Sequence, residues 1–486
     1  MTEASKRGNK LYYIHICIFL LITFGVGFLP PFAQITDLGM RVLGVFLGVI
    51  YAWCFIALDW PSLVALCALA VIGYGEGADA IVLSGWSFQT IPQLILCFLL
   101  AEGIAQTKLT KYVSDRLLSF NVFKGRPYVL VGGLLIAQII LNLLQCAYAG
   151  LFLLWGIASS MSEKAGYPKC NMFNTIVITS TVTIYVWSSF IFPFNPGALM
   201  HIAFLQQAIP GIEIPFGGWI VLWGIFTVLY AILWPIILKY VFRIDLSAIA
   251  NINLDELQKE KQAMLPEQKF GIGILLGFVI AMFIPEVLPE GWIITKAFSA
   301  LGLSGCLAIA VIVMVAFKKS NGEHYLTMQA AANGIQWNVI WLLVATEPLA
   351  SAFNADECGI LPSIMTAVTP LLTTLSPALF LVICMIVLGI VTQFVHNMVL
   401  IVVFVPILCP LYVQMGGDPF VMFVGLVVAM NAAFTTPAAS WNSAMMFGVD
   451  GTITSRVYLH GFSHFVFSLV LFFILMMPLA NILLPY

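Results

Sequence analysis

The stretch "SPALFLVICMIVLGIVTQFVHNMVLIVVFVPILCPLYVQ", Ser376 to Gln414, sets two long apolar limbs around a short polar knot, Thr392 to Asn397. Each limb has about 17 residues, enough as a helix at 1.5 Å per residue to reach across most of a bilayer. Polar groups and irregular backbone at that depth are tolerated only beside protein or a watery cavity. The stretch therefore reads as a helical hairpin whose tip, "TQFVHN", sits at a site. A re-entrant hairpin is preferred to two complete spans.

Composition agrees along the whole chain. Of 486 residues, 61% are hydrophobic and only 9% charged, whereas a soluble surface needs roughly a quarter of its residues charged. Apolar runs of about 17 to 25 residues recur from end to end. The chain reads as an all-α polytopic integral membrane protein, with the lipid bilayer as its first partner. A net charge of -2 gives no sign of a nucleic-acid partner. Ten cysteines without a CxxC pair indicate neither a disulfide framework nor a zinc or iron-sulfur site. Leu11 to Leu29 follows Lys6, Arg7 and Lys10. That run is too long for a signal peptide and has no clear small-x-small cleavage site, so it reads as a retained first helix starting in the cytoplasm.

The chain also repeats itself at about half its length. "LLAEGIAQT" around Glu102 resembles "LVATEPLAS" around Glu347, and "GYPKCNMF" from Gly166 resembles "GGDPFVMF" from Gly416. "FPFNPGA" from Phe192 falls where "TTPAASWNS" from Thr435 lies. Charge orients the two copies. "KLTKYVSDRLLSFNVFKGRP" carries five basic residues, Lys111 and Lys124 among them, and belongs in the cytoplasm. Its counterpart "SAFNADECGILPSIMTAVTPLLTTLSP", with Asp356, carries none and belongs outside. "SEKAGYPK" against "QMGGDP", which holds Asp418, repeats the contrast. The expected organisation is an N-terminal tail and first helix (1–38), repeat 1 (39–242), a cytoplasmic linker with nine charges within 243–269, and an inverted repeat 2 (270–486). Each repeat holds one hairpin, about 127–162 and 376–414, and one broken helix, about 171–209 and 420–450. The C-terminus is expected outside.

The breaks follow from proline. "IFPFNPGA" and "FTTPAASWNS" put proline and small polar residues into long apolar runs, where proline removes an intrahelical hydrogen bond. Half-helix N-termini then turn N–H groups and a positive dipole inward, and C-terminal carbonyls offer ligands to a cation. Inverted repeats with broken helices are common in secondary transporters, whose sites lie near the midplane.

In this order of parts the chain resembles the divalent anion:sodium symporter family of the ion transporter superfamily. The resemblance runs from "LSGWS" at Leu83 through both hairpins and both breaks to "AMMFG" near Phe447. It implies about 11 transmembrane helices, an elevator motion, a homodimer and a bacterial inner-membrane location. It also implies sodium-coupled symport of a small organic anion, a carboxylate, with Na+ as the coupling ion and no organic cofactor. Carried over, the family's Ser-Asn-Thr tips fall on Gln145, Cys146 and Ala147 and on His396, Asn397 and Met398, of which only Asn397 keeps the family residue. The broken-helix loops become Phe192 to Asn195 and Ser440 to Ser443. The implied substrate-binding residues are Gln145, Cys146, Asn195, His396, Asn397, Trp441, Asn442 and Ser443. Sodium is expected near Asn397, Thr436, Ser440, Asn142 and Gln145.

With so few of the family's hydroxyls left, and with Trp187, Tyr185, Phe192, Phe194 and Trp441 nearby, the chain suits a monocarboxylate with an apolar body better than a succinate-like substrate. The alternative is a proton-coupled or antiporting carrier of the same superfamily, with His396 titrating. His396 is expected to meet the anion as a neutral N–H donor or an imidazolium, with affinity strengthening as pH falls. Asn195 and Asn442 read as ligand contacts rather than mere caps for the breaks. Glu102 and Glu347 read as capping or pairing residues in the scaffold. His460 and His464, four apart without an acidic third ligand, read as interfacial rather than metal-binding. No HExxH helix, intramembrane aspartate pair or nucleophile elbow is present, so an enzyme is not expected.

Overall fold

The structure, a computed structural model, describes residues 3–88, 90–107, 109, 125–144, 147–250, 263–289, 291–319, 321–360, 362, 363, 366, 375–437, 439–484 and 486. Among them the chain is helical throughout, with β-type pairing confined to an isolated bridge between Lys318 and His324. Before the linker run α1 (Glu3–Gly25), α2 (Asp37–Phe55), α3 (Trp60–Val71), α4 (Ala78–Trp86), α5 (Thr90–Gln106), α6 (Pro127–Leu143), α7 (Ala147–Lys164), α8 (Met172–Ser188), α9 (Pro196–Ala208) and α10 (Phe216–Tyr240). A short α11 (Ser247–Ala250) opens the linker. After it come α12 (Pro266–Val287), α13 (Ile293–Ala316), α14 (Met328–Ala332), α15 (Trp337–Asn354), α16 (Pro377–Val391), α17 (Asn397–Gln414), α18 (Pro419–Asn431), α19 (Trp441–Gly448), α20 (Thr454–Leu471) and α21 (Met477–Leu483).

Punctuation in the sequence sets these bounds. Proline opens α6, α9, α12, α16 and α18, where its missing N–H would be unpaired anyway and its fixed φ suits a helix. Side chains of Thr36, Asn171, Asn195, Ser376, Asp418 and Ser440 accept hydrogen bonds from the first turns of α2, α8, α9, α16, α18 and α19.

Among the described residues, seven helices are long and apolar enough to cross a membrane, or eight if the bent pair α4 and α5 counts as one span. The implied total of about 11 is therefore not reached by length alone. The remaining apolar helices are shorter, 10 to 17 residues, and include α6, α8, α16 and α18.

The centre is built from α8 and α18. Every residue of α18 is buried, as expected of a helix that is apolar all round, and so is nearly all of α8, whose buried Thr175, Thr179, Thr181, Thr183 and Ser188 donate their hydroxyls to carbonyls one turn back. Both α6 and α7 pack on α8, as α16 and α17 pack on α18. The halves meet where α9 packs on α17 and α19 on α8. Behind α8 the tryptophans of α10 form a wall: Trp219 Nε1 donates to the Phe190 carbonyl at 2.7 Å and Trp234 Nε1 to Ser180 Oγ at 2.8 Å. α20 crosses this core at Gly461, where a Cβ would lie 2.2 Å from the Phe434 carbonyl oxygen.

Loops gather in two sets. Lys169 Nζ meets Asp450 at 2.9 Å, Asn171 N donates to the Gly451 carbonyl at 3.2 Å, and Ile453 N to Thr175 Oγ1 at 3.0 Å. Asp450 holds the exposed Lys169 ammonium above the usual lysine value. Elsewhere Thr36 N donates to the Cys358 carbonyl at 3.1 Å and Gln34 N to Ser363 Oγ at 3.0 Å. Gly359, at φ +66°, lies so near that a Cβ would meet the Gln34 carbonyl at 1.9 Å.

Candidate functional site

Each hairpin tip is tied to the break beside it by one buried amide. At the end of α6, Asn142 Nδ2 donates to the Tyr185 carbonyl at 3.0 Å, Ser188 Oγ at 2.7 Å and Ser189 Oγ at 2.9 Å, all at the C-terminus of α8. After α16, Gln393 Nε2 donates to the Gly389 and Ala432 carbonyls at 2.8 and 3.0 Å, and its Oε1 accepts from Thr435 N at 3.0 Å. Thr436 Oγ1 donates to the Gln393 carbonyl. Asn142 and Gln393 do equivalent work in the two halves, holding carbonyl-rich helix ends that would otherwise be unpaired.

The tips and breaks open onto one cavity of about 490 Å³, a size typical of small-molecule sites. Asn142 comes from the first tip, Ser189 and Asn195 from the first break, His396 and Asn397 from the second tip, and Ser440, Trp441 and Asn442 from the second break. Three helices point their N-termini here. α9 begins after Asn195, whose Oδ1 accepts from Gly197 N at 3.1 Å. α17 begins after His396, and α19 after Ser440, whose Oγ accepts from Ser443 N at 3.1 Å. No lysine or arginine lines the cavity among the described residues. A negatively charged ligand would be met by backbone N–H groups and helix dipoles, each worth about 0.3–1 kcal/mol and up to about 2 in partly buried geometry.

A second element was not visible in the sequence. His201 on α9 is buried and lines the cavity. Its Nδ1 lies 2.6 Å from the Gly197 carbonyl, so it carries the proton; its Nε2 then accepts from Asn431 Nδ2 at 3.0 Å. Asn431 Oδ1 accepts from Asn397 Nδ2 at 3.0 Å, and Asn397 Oδ1 from Met398 N at 2.9 Å. This directed chain joins α9 in one half to α18 and α17 in the other. Asn431 is the single polar residue of α18 and His201 shares α9 with Gln206 and Gln207; they are far apart in sequence, and only their polarity could have flagged them.

Of the residues expected to bind substrate, Asn195, His396, Asn397, Trp441 and Asn442 lie together on the cavity. The imidazole of His396 faces Trp441 edge-on, centroids 6.0 Å apart. Its Nε2 and Asn442 Oδ1 are buried without a hydrogen-bond partner among the described residues. Asn195 also caps its helix, so the two readings of it are compatible. Ser443 lies behind the wall, its Oγ donating to the Thr436 carbonyl at 2.6 Å. Gln145 and Cys146 lie outside the described residues. Of the expected sodium neighbours, Asn142, Asn397 and Ser440 line the cavity, and Thr436 sits behind it with its hydroxyl engaged.

Glu102, expected to cap or pair in the scaffold, pairs with Gln106, its Oε1 accepting from Nε2 at 3.2 Å, and also faces the cavity, whereas Glu347 stays off it. His460 and His464 are packed inside the protein rather than at an interface. His464 Nδ1 lies 2.8 Å from Tyr230 Oη, and its ring stacks 3.8 Å from that of Trp234. Among the described residues no three His, Cys, Asp or Glu groups come together as a metal site.

Sequence comparison places this arrangement. The sodium:sulfate symporter transmembrane region matches residues 10–484, nearly the whole chain. The chain belongs to the sodium:sulfate symporter family. It is also similar to the sodium-dependent dicarboxylate transporter SdcS of Staphylococcus saprophyticus, 23% identical over 262 residues, which are 53% of this chain and 49% of that protein. The chain thus spans about half the length of the curated relative it matches. Family and relative are transporters, in keeping with an integral membrane protein that is not an enzyme. Within this sodium:sulfate symporter fold, side-chain amides, histidines, hydroxyls, helix N-termini and the Glu102 carboxylate share the cavity.

Proposed function

We propose that this chain carries out sodium-coupled symport of a small organic anion, a carboxylate, by an elevator-type movement. The observation that carries the reading is the convergence of three helix N-termini, at Pro196, Asn397 and Trp441, on a cavity lined by no basic side chain among the described residues. The carboxylate sits against those N-termini, with His396 Nε2 as a further donor. Sodium sits beside Asn397 and the carbonyls of Thr436 to Ser440, where an oxygen-rich loop suits a hard cation. A second ion at Asn142 and the α8 carbonyl end follows from the same pattern in the other half.

Family membership, the break geometry and the paired amides Asn142 and Gln393 support two inverted repeats with re-entrant hairpins. The hairpins and broken helices form the moving body, and the protein works as a homodimer in a bacterial inner membrane with its N-terminus inside and its C-terminus outside. Contacts between loops support this topology. Lys169, in a loop assigned to the cytoplasm, pairs with Asp450 and so puts the loop before Arg456 on the same side, and Thr36, after the first helix, joins Cys358 in a loop assigned outside. In a cysteine-free background, Arg456→Cys should label only from the cytoplasmic side and Asp356→Cys only from outside. Labelling of both from one face would remove the inverted-repeat argument.

Uptake by purified protein in liposomes tests the function. An inward sodium gradient should drive accumulation of a monocarboxylate above equilibrium, and replacing sodium by potassium should abolish it. Accumulation driven instead by a proton gradient, with sodium without effect, would favour the proton-coupled carrier, for which His396, His201 and Glu102 stand on the same cavity.

A further inference from the structure

The cavity that receives the helix N-termini also carries the wrong charge for a simple anion. Glu102 on α5 is its sole lysine-, arginine-, aspartate- or glutamate-type group among the described residues. The carboxylate is held in place. Oε1 accepts from Gln106 Nε2 at 3.2 Å, and the side chain packs on Gly334, where a Cβ would lie 2.7 Å from Glu102 Cβ. A partly buried carboxylate without a cationic partner is costly, and a dicarboxylate would bring a second like charge against it. The same cavity is lined by Phe98, Tyr185 and Trp441, whose faces attract a cation.

We infer that the substrate is a carboxylate that also bears an ammonium group, its carboxylate on the N-termini of α9, α17 and α19 and its ammonium on Glu102. The inference rests on the proposed function for the carboxylate end and adds the other end. It makes Glu102 the residue that discriminates among carboxylates. An ammonium completes the charge of Glu102 and donates to its free oxygen. A desamino carboxylate of the same shape leaves that group unpaired, which is the kind of mismatch that polar sites reject most strongly.

Matched pairs of ligands test it: leucine with 4-methylpentanoate and phenylalanine with 3-phenylpropanoate, with succinate as a dicarboxylate. Sodium-dependent binding to the purified full chain and sodium-driven uptake in liposomes are both measured. The wild type should bind the aminated member of at least one pair about tenfold or more tightly than its desamino partner, and should bind succinate more weakly still. Glu102→Gln should reverse the order, weakening the aminated ligand about tenfold and strengthening the desamino one. Glu102→Asp should keep the wild-type order, and sodium-dependent thermal stabilisation shows that each variant is folded. Sodium-dependent binding of the desamino acids or succinate with no amino preference, or equal loss of both pair members in Glu102→Gln, overturns the inference while leaving carboxylate symport intact. Failure of every carboxylate to bind or move with sodium overturns both.

Discussion

Asn397→Ala should raise the sodium concentration that half-saturates uptake by roughly five- to 150-fold. The asparagine does three things at once. Its backbone N donates to the Ala439 carbonyl at 3.0 Å, its Nδ2 to Asn431 Oδ1 at 3.0 Å, and its Oδ1 accepts from Met398 N at 2.9 Å. Alanine keeps the first bond and loses the other two. Asn431 Oδ1 is then buried without its donor, a loss of about 1–3 kcal/mol and so the fold-change stated. The effect spreads, because the directed chain from Gly197 to Met398 is broken at its middle, although Asn431 Nδ2 keeps its bond to the Val427 carbonyl at 2.9 Å. A sodium titration of uptake, with thermal stabilisation by sodium measured on the same samples, separates loss of the ion from loss of the fold. An unchanged sodium response would move the ion away from the second tip.

The fold could be read from the sequence because it rests on features local to it. Apolar runs gave the helices, and proline with a following cap gave their ends: the breaks expected within 191–198 and 434–443 fall between α8 and α9 and between α18 and α19. The number of spans was less legible. Broken and hairpin helices are too short to pass a length test, and nothing in a short apolar run says whether it crosses, returns or stops. At the site, residues in the breaks and at the second tip were found because polar groups beside proline or in a loop must be satisfied by something. Glu102, His201 and Asn431 were missed as site residues for the converse reason. Glu102 and His201 sit inside regular helices and Asn431 ends one, and the partner or cavity wall that surrounds each is contributed by distant parts of the chain. Glu102 looked like a helix-end residue because the adjoining basic arm was the nearest source of partners in sequence, whereas in space it faces the cavity.

His396→Leu should weaken substrate binding by roughly five- to 150-fold, the same cost of about 1–3 kcal/mol for a buried group left without its partner, whereas His396→Gln should stay within about threefold of wild type. Met398 N–H is shared between Asn397 Oδ1 at 2.9 Å and His396 Nδ1 at 3.3 Å. A ring nitrogen that accepts at the cap leaves the proton of the neutral imidazole on Nε2, and Nε2 is the buried atom without a partner on the cavity side. Of the two roles open to this histidine from sequence, the cap supports the neutral N–H donor, since a proton on Nδ1 would remove the second, longer acceptor of Met398 N–H. Glutamine offers an amide N–H of similar reach and leucine offers none. Neutral donation also alters the expected pH behaviour. Between about pH 8 and 5.5, the window around an ordinary histidine value near 6.5, wild type and His396→Gln should bind with parallel pH profiles. Affinity that strengthens as pH falls in the wild type alone would restore the imidazolium reading, because only a titrating ring gains charge in that window. Equal binding by wild type, His396→Gln and His396→Leu at every pH would instead make the ring a packing partner of Trp441, and would leave the anion to the helix N-termini.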